Sequence, residues 1–335
     1  MLRTGGKLAI ALAIALLPAY VGADELSLTN ADGGAAAAAA APVEPAEPAP
    51  PDDPPPLPFH CIEGYSGGAI TPLAYICNGD TCGECFWGKP TMAYSFVGLG
   101  RKNLDAITLT EPFLEGRFEF GYGADRLGLG TLPGTIQTAT GVDVERSDVW
   151  MHNFNLRCLA VKENTEVGGI KMPAITLGVD FKYNADIEQI NNKLGGALDG
   201  LGYRRSNGED YTLTVTKMIP KTFGGRPLII TAGLRESQAA NLGFLGFGDT
   251  WKTTFEGNVV YLVTDHVALA YEYRQKGAEF DTLPGVINGE DNWHAFDVGF
   301  ILNKQTTLVA GYGIFGTLAD SKADSAWWLQ LKYEF

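Results

Sequence analysis

From residue 92 to the C-terminus, apolar and polar residues alternate with a period of two, the spacing that puts successive side chains on opposite faces of a strand. The last segment is the clearest case. Trp327, Leu329, Leu331, Tyr333 and Phe335 share one parity, with Trp328, Gln330, Lys332 and Glu334 on the other. The same pattern recurs upstream. Leu308, Ala310, Tyr312 and Ile314 oppose Thr307, Gly311 and Gly313; Phe296, Val298 and Phe300 oppose Ala295, Asp297 and Gly299. Leu269, Tyr271 and Tyr273 oppose Glu272 and Arg274; Phe255, Val259 and Tyr261 oppose Glu256 and Asn258. Further strands start near Leu228, Tyr211 and Ile175, and the earliest are expected at 149–161, 116–122, 104–111 and 92–99. About 12 strands result.

Short turns at 264–266 and 303–305 alternate with long polar stretches at 124–147, 186–208, 238–251 and 276–291. That arrangement predicts an all-β fold, a transmembrane antiparallel up-and-down β-barrel with short turns at one end and long loops at the other. A soluble β-sandwich would alternate too. Tyrosine and tryptophan near the strand ends, with glycine, threonine and charge on the opposite face, favour the barrel. Within the loop at 186–198, Ile187, Ile190 and Leu194 have helical spacing and predict a short helix, on the rim or folded into the lumen.

Ahead of the strands the composition changes twice. Arg3 and Lys7 precede an apolar run from Leu8 to Val21, and Val21, Gly22 and Ala23 suit signal peptidase, so residues 1–23 read as a signal peptide. Residues 24–58 hold nine of the 18 prolines, seven acids, no base and an alanine run from Ala35 to Ala41, which predicts a disordered tether. Loss of the leader takes Arg3 and Lys7 and leaves 23 bases against 39 acids, a net charge of −16. A surface so acidic argues against nucleic acid as a partner. Residues 59–90 then form a cysteine-containing segment, and 91–335 the barrel.

The terminal Phe335, with Tyr333, Leu331 and Leu329 alternating before it, resembles the C-terminal insertion signal of outer-membrane barrels. That likeness makes Tyr333 and Phe335 the candidate signal and implies the barrel-assembly machinery as a partner during insertion. A second resemblance covers residues 59–335. It rests on Ile62-Glu63-Gly64 with Gly67-Gly68-Ala69-Ile70-Thr71-Pro72, on Asn241-Leu242-Gly243-Phe244-Leu245-Gly246-Phe247-Gly248, and on Glu272-Tyr273-Arg274-Gln275-Lys276 with the final strand. Together these resemble the family called domain of unknown function 3034. The resemblance implies an outer-membrane location with the tether in the periplasm, and names no substrate. The stretch from Cys77 to Cys85 and the alanine-proline tether depart from the family pattern.

Parity supplies the candidate lumen-lining residues. The bases are Arg117, Arg157, Lys182, Arg235, Arg274 and Lys332, and the acids are Glu119, Asp180, Glu256, Glu272, Asp297 and Glu334. Charges in a narrow interior should pair across strands. Two outcomes stay open: a mixed-charge passive channel for small polar solutes, or a salt-bridged structural barrel that conducts poorly. A surface receptor or adhesin using the long loops is a third.

Cys77, Cys82 and Cys85 have the spacing of iron–sulfur ligands, and a zinc site with His60 is conceivable. An oxidising compartment favours disulfides among Cys61, Cys77, Cys82 and Cys85, leaving Cys158 as a free thiol. No catalytic, metal or cofactor site is therefore assigned. The best arrangement available for catalysis, His294 near Asp291 with Ser321 or Ser325, lacks any recognised motif. An even number of strands puts both termini on one side, so the small and apolar run at 64–76 is expected in or under the lumen as a plug rather than as a thirteenth strand.

Overall fold

The computed structural model describes residues 57–77 and 86–335. Twelve antiparallel strands close on themselves. In chain order they are β1 (Thr91–Leu99), β2 (Lys102–Phe113), β3 (Phe118–Gly128), β4 (Asp148–Val161), β5 (Ala174–Asn184) and β6 (Asn207–Ile219). They continue as β7 (Leu228–Ala239), β8 (Phe247–Leu262), β9 (Val267–Arg274), β10 (Trp293–Ile301), β11 (Thr306–Ile314) and β12 (Ala326–Glu334). Each strand pairs with its sequence neighbours. β1 pairs with β12 from Thr91↔Glu334 to Gly98↔Trp327, which closes the ladder and leaves no free edge.

The alternation decides which face points where. Along β12, Trp327, Leu329, Leu331 and Tyr333 are exposed, while Trp328, Gln330 and Lys332 are buried. The same register holds in β7, where Ile230 and Leu234 face out and Thr231 and Arg235 face in, and in β10 with Phe296 and Phe300 outside and Asp297 inside. An outer surface of contiguous Leu, Ile, Phe and Tyr on strands of 8 to 16 residues is stable only against an apolar solvent, so the barrel is a membrane-spanning one. Aromatic rings also contact one another on the outward parity: Tyr122 with His152, Tyr271 with His294, and Tyr333 with Phe335.

Both barrel termini lie at one end, the terminal end. Connections there are mostly brief, as at 114–117, 263–266 and 302–305. The opposite, long-loop end carries 129–147 with helix α1 (Leu132–Thr140), 185–206 with α2 (Ile187–Lys193), 240–246, 275–292 and 315–325. Helix α2 matches the expected 186–198 pattern, with Ile187 and Ile190 buried.

Two expectations need correction. Not every short turn is at the terminal end, because β1 and β2 join through Gly100 and Arg101 alone at the long-loop end. The loops expected at 124–147 and 238–251 are also shorter, since β3 runs on to Gly128 and β8 begins at Phe247. Glycine and polar residues made those stretches look like loop. Just before that stretch the wall is also bare: a Cβ on Gly121 would lie 1.8 Å from the carbonyl oxygen of Gly64, so the glycine admits another piece of chain.

Candidate functional site

That piece of chain is residues 57–77. Every residue from Leu57 to Cys77 is buried, and the segment makes no wall strand. It runs inside the barrel, where wall side chains satisfy the backbone groups that a strand ladder would otherwise take. Gly64 makes the closest approach. It adopts a positive φ of 86°, and a Cβ there would sit 2.6 Å from the Tyr122 backbone, so glycine is required on both counts.

Three sets of wall residues hold the segment. Nearest the long-loop side of the turn at 69–71, the Glu272 carboxylate accepts N–H bonds from Ala69 at 2.7 Å, Ile70 at 3.2 Å and Thr71 at 2.8 Å. Asn258 adds bonds from its Nδ2 to Thr71 Oγ1 at 2.9 Å and to the Pro72 carbonyl at 3.1 Å. On the β2–β4 side, Glu119 accepts from the N–H of Ser66 and of Cys77, both at 2.9 Å, while Arg157 donates to Glu119 and to the carbonyls of Ser66 and Leu73. Asn155 donates to the carbonyls of Glu63 and Gly64 at 2.9 and 3.0 Å. The third set surrounds His60. Its ring nitrogens meet Thr108 Oγ1 at 3.0 Å and Thr110 Oγ1 at 2.7 Å, and its backbone exchanges two bonds with the Gln330 amide.

At the centre is Glu63. Arg274 donates to it at 2.6 Å, Lys182 pairs with it, Arg235 lies 3.8 Å away, and the Tyr65 hydroxyl donates at 2.7 Å. Burial works against its charge, but Arg274, Lys182 and Arg235 outweigh burial and hold the carboxyl well below the ordinary range. Arg235 is shared further, with Asp180 at 2.9 Å, Asp210 at 3.0 Å, Glu256 at 3.1 Å and the Tyr65 hydroxyl at 2.8 Å. Burial, then the neighbouring positive charges of Lys332 and Arg157, lowers the His60 imidazole to about 3, so it is neutral at pH 7.

Apolar layers lie on either side of this polar belt. Toward the terminal end, Phe59, Leu73 and Ala74 pack with Ile229, Val260 and Val309. Toward the long loops, Ile62 and Ile70 meet Leu242, Phe244 and Leu245 from the 240–246 loop, together with Trp293, Phe315 and Trp328.

Ten of the twelve expected lumen residues are buried inward: Glu119, Arg157, Asp180, Lys182, Arg235, Glu256, Glu272, Arg274, Asp297 and Lys332. Arg117 is not in the lumen; it is exposed in the turn between β2 and β3, where the strand alternation has lapsed. Glu334 stands at the rim and pairs with Lys332. The sequence reading missed Glu63, Asp210 and Asp125. The last two share the inward parity of Thr212 and Glu119 and needed only that each strand be extended.

No disulfide is seen among the described cysteines. Cys61 and Cys77 are buried free thiols, and Cys158 is a free thiol at half-burial on the outward parity. Burial raises the Cys77 thiol to about 12. Cys82 and Cys85 lie outside the described residues, as do the leader and the tether up to residue 56. Leu57 and Pro58, at the end of the stretch expected as tether, are buried. His294 is not turned to Asp291. Its Nδ1 meets the Tyr271 hydroxyl at 2.8 Å on the outer face, while Asp291 accepts from the Thr317 backbone and Ser321 partners Lys102.

The family model described as "Protein of unknown function (DUF3034)" matches residues 59–332, which takes in both the enclosed segment and the wall. The chain belongs to that family. No curated protein matches it. Among solved structures, a KdgM porin aligns over 73% of this chain and 99% of its own, at 10% identity and a TM-score of 0.45. The outer membrane protein Omp33 of Acinetobacter baumannii aligns over 75% and 99%, at 8% identity and a TM-score of 0.40. Outer membrane phospholipase A from Escherichia coli aligns over 74% and 92%, at 7% identity and a TM-score of 0.34. The architecture here rests on the strand pairing itself, and likenesses at this level add nothing to it.

Proposed function

We propose that this protein is a plugged β-barrel of a bacterial-type outer membrane, with its termini and tether in the periplasm and its long loops outside. Residues 57–77 close the lumen, and a passive path for small polar solutes exists only when that segment leaves. The observation that carries the reading is the use of the inward charges. Glu119, Arg157, Lys182, Glu272 and Arg274 bond the enclosed segment rather than face an aqueous bore. An outer-membrane site is supported by the apolar outer face, on which Tyr333 and Phe335 stand as the proposed insertion signal for the barrel-assembly machinery. The same charges explain why a structural barrel and a channel need not be alternatives, because the wall that binds the segment is a polar lining once the segment is gone.

The test is conductance in a planar bilayer, with the full chain compared to a variant lacking 57–77. The full chain is expected to be silent and the deletion variant to give steady current steps. Steady conductance of the full chain would contradict the reading. So would a silent deletion variant that still shifts on a detergent gel when boiled, as a folded barrel does.

A further inference from the structure

The wall reads the enclosed segment largely through its main chain. Glu272, Asn155 and Arg157 bond its N–H and carbonyl groups, as described above. In addition, Thr216 accepts the Ala74 N–H at 2.8 Å and Thr176 donates to the Ala74 carbonyl at 2.6 Å. Gln330 holds both the N–H and the carbonyl of His60. Every polypeptide offers such groups, so bonds of this kind hold a peptide chain with little regard to most of its side chains.

The pair Glu63-Gly64 is where sequence enters. Lys182 of β5, Arg235 of β7 and Arg274 of β9 are all buried. Among the described residues, Glu63 is the one carboxylate that pairs with all three of them. The next residue is read just as closely. Asn155 and Thr110 donate to the Gly64 carbonyl at 3.0 and 3.1 Å, and a Cβ at Gly64 would meet the Tyr122 backbone at 2.6 Å. Five wall side chains on five strands thus build a seat for an acid followed by glycine.

This seat has room beside it and a way out. Arg235 and Arg274 also line a cavity of about 20 Å³ together with Lys252 and Lys276, space for one water-sized group on the basic side of the seat. Lys332 holds the Leu57 carbonyl and Glu119 the Cys77 N–H, so the segment enters and leaves at the terminal end of the barrel. It is a loop pushed in from one side, and it can withdraw without opening the ring of strands.

We propose that the seat filled by Glu63-Gly64 is a recognition site for short peptides that carry an acidic residue followed by glycine, with the segment as its built-in occupant. The inference rests on the reading that 57–77 can leave the lumen, and it narrows the solute to that class. Tethering gives the segment an effective concentration on the order of millimolar, so a free peptide binds appreciably only when docking of the segment is weakened.

The full chain carrying Gly64→Val meets that condition, because the added side chain blocks docking while the wall is unchanged. Acetyl-Ile-Glu-Gly-Tyr-amide is titrated calorimetrically into this variant in detergent, against the same peptide with glutamine for the acid and against one with valine for the glycine. Saturable binding of the first is expected, with each of the others at least tenfold weaker, the range for hydrogen bonds to a charged group. Absence of saturable binding, or equal binding of all three, would overturn the proposal. Where Gly64→Val alone gives no heat-shifting band, the three peptides are added during refolding. Recovery of the band with the acid-glycine peptide alone is then the expected result, and recovery with none or with all three would overturn it. Neither arm reads conductance. A conducting parent chain would contradict closure by the segment, whereas unselective binding would contradict the peptide assignment alone.

Discussion

The barrel interior is lined in two ways, and the difference is instructive. In the middle of the lumen the wall supplies charges and amides, many of them bonded to a particular group of the enclosed segment, as Glu272 is to the N–H groups of 69–71. At the long-loop mouth the wall supplies mainly Leu, Phe and Trp packed on the loops, with a few directional bonds such as those from Asn184 to the carbonyls of Gly243 and Phe244. Buried polar groups fix position because their loss leaves a partner unsatisfied, whereas apolar packing tolerates sliding and exchange. The belt therefore specifies one occupant in one register, and the mouth merely closes over it.

The largest effect should come from the belt. Arg235→Leu leaves Asp180, Asp210 and Glu256 without their common partner. Removing one member of a buried ionic set costs about 3–5 kcal/mol. The folded, heat-shifting fraction should fall sharply in a urea titration; a change no larger than that of an outward Leu→Ala would contradict the role given to the belt. Next is Glu63→Leu, which strips Lys182 and Arg274 of the carboxylate they share. Because the wall remains intact, the barrel should still form while the enclosed segment loosens, seen as faster proteolysis within 57–77. Unchanged proteolysis would separate Glu63 from docking. Smaller still is Leu242→Ala in the mouth, expected to cost about 2 kcal/mol with the segment's protection kept. Equal loosening by this variant and by Glu63→Leu would erase the distinction between the two regions.

Acid should sharpen the comparison. His60 is held at about 3 in the folded protein against an ordinary value of 6.5. The unfolded or undocked chain thus binds a proton that the docked one does not, so the contribution of His60 is present above about 6.5 and is lost as pH falls toward 3. The slope is at most about 1.4 kcal/mol per pH unit. Docking should weaken from pH 6.5 to 4 in the parent and less so in His60→Gln, read by the same proteolysis. A steeper loss in His60→Gln would show that other groups carry the pH response.

Much of this was legible in the sequence. Period-two alternation is a local property, so the inward and outward faces of β5 to β12 follow from it directly. The even strand count put both termini at one end and pointed to 64–76 as an interior piece. What alternation does not carry is pairing between distant segments. Glu63 meets Lys182 and Arg274 only after the wall closes, and nothing near Glu63 in the chain marks it as the centre of the belt. Arg117 went the other way: it keeps the parity of a strand but lies in a turn, where parity has no meaning. Composition misled at 124–128 as well, because the charged residues and glycine that end β3 look like loop. The cysteines were judged from compartment and spacing, and the burial of Cys61 and Cys77 is a tertiary fact.

Those two thiols give the most direct test of whether 57–77 fills the lumen. Folded protein in nanodiscs is treated with a charged, water-soluble maleimide, and labelled peptides containing Cys61 and Cys77 are quantified by mass spectrometry before and after boiling in detergent. Both thiols are fully buried in the folded barrel. The account predicts no labelling of either residue until the barrel is unfolded, and complete labelling of both afterwards. Reaction of Cys61 and Cys77 in the folded barrel as fast as in the boiled protein would contradict it.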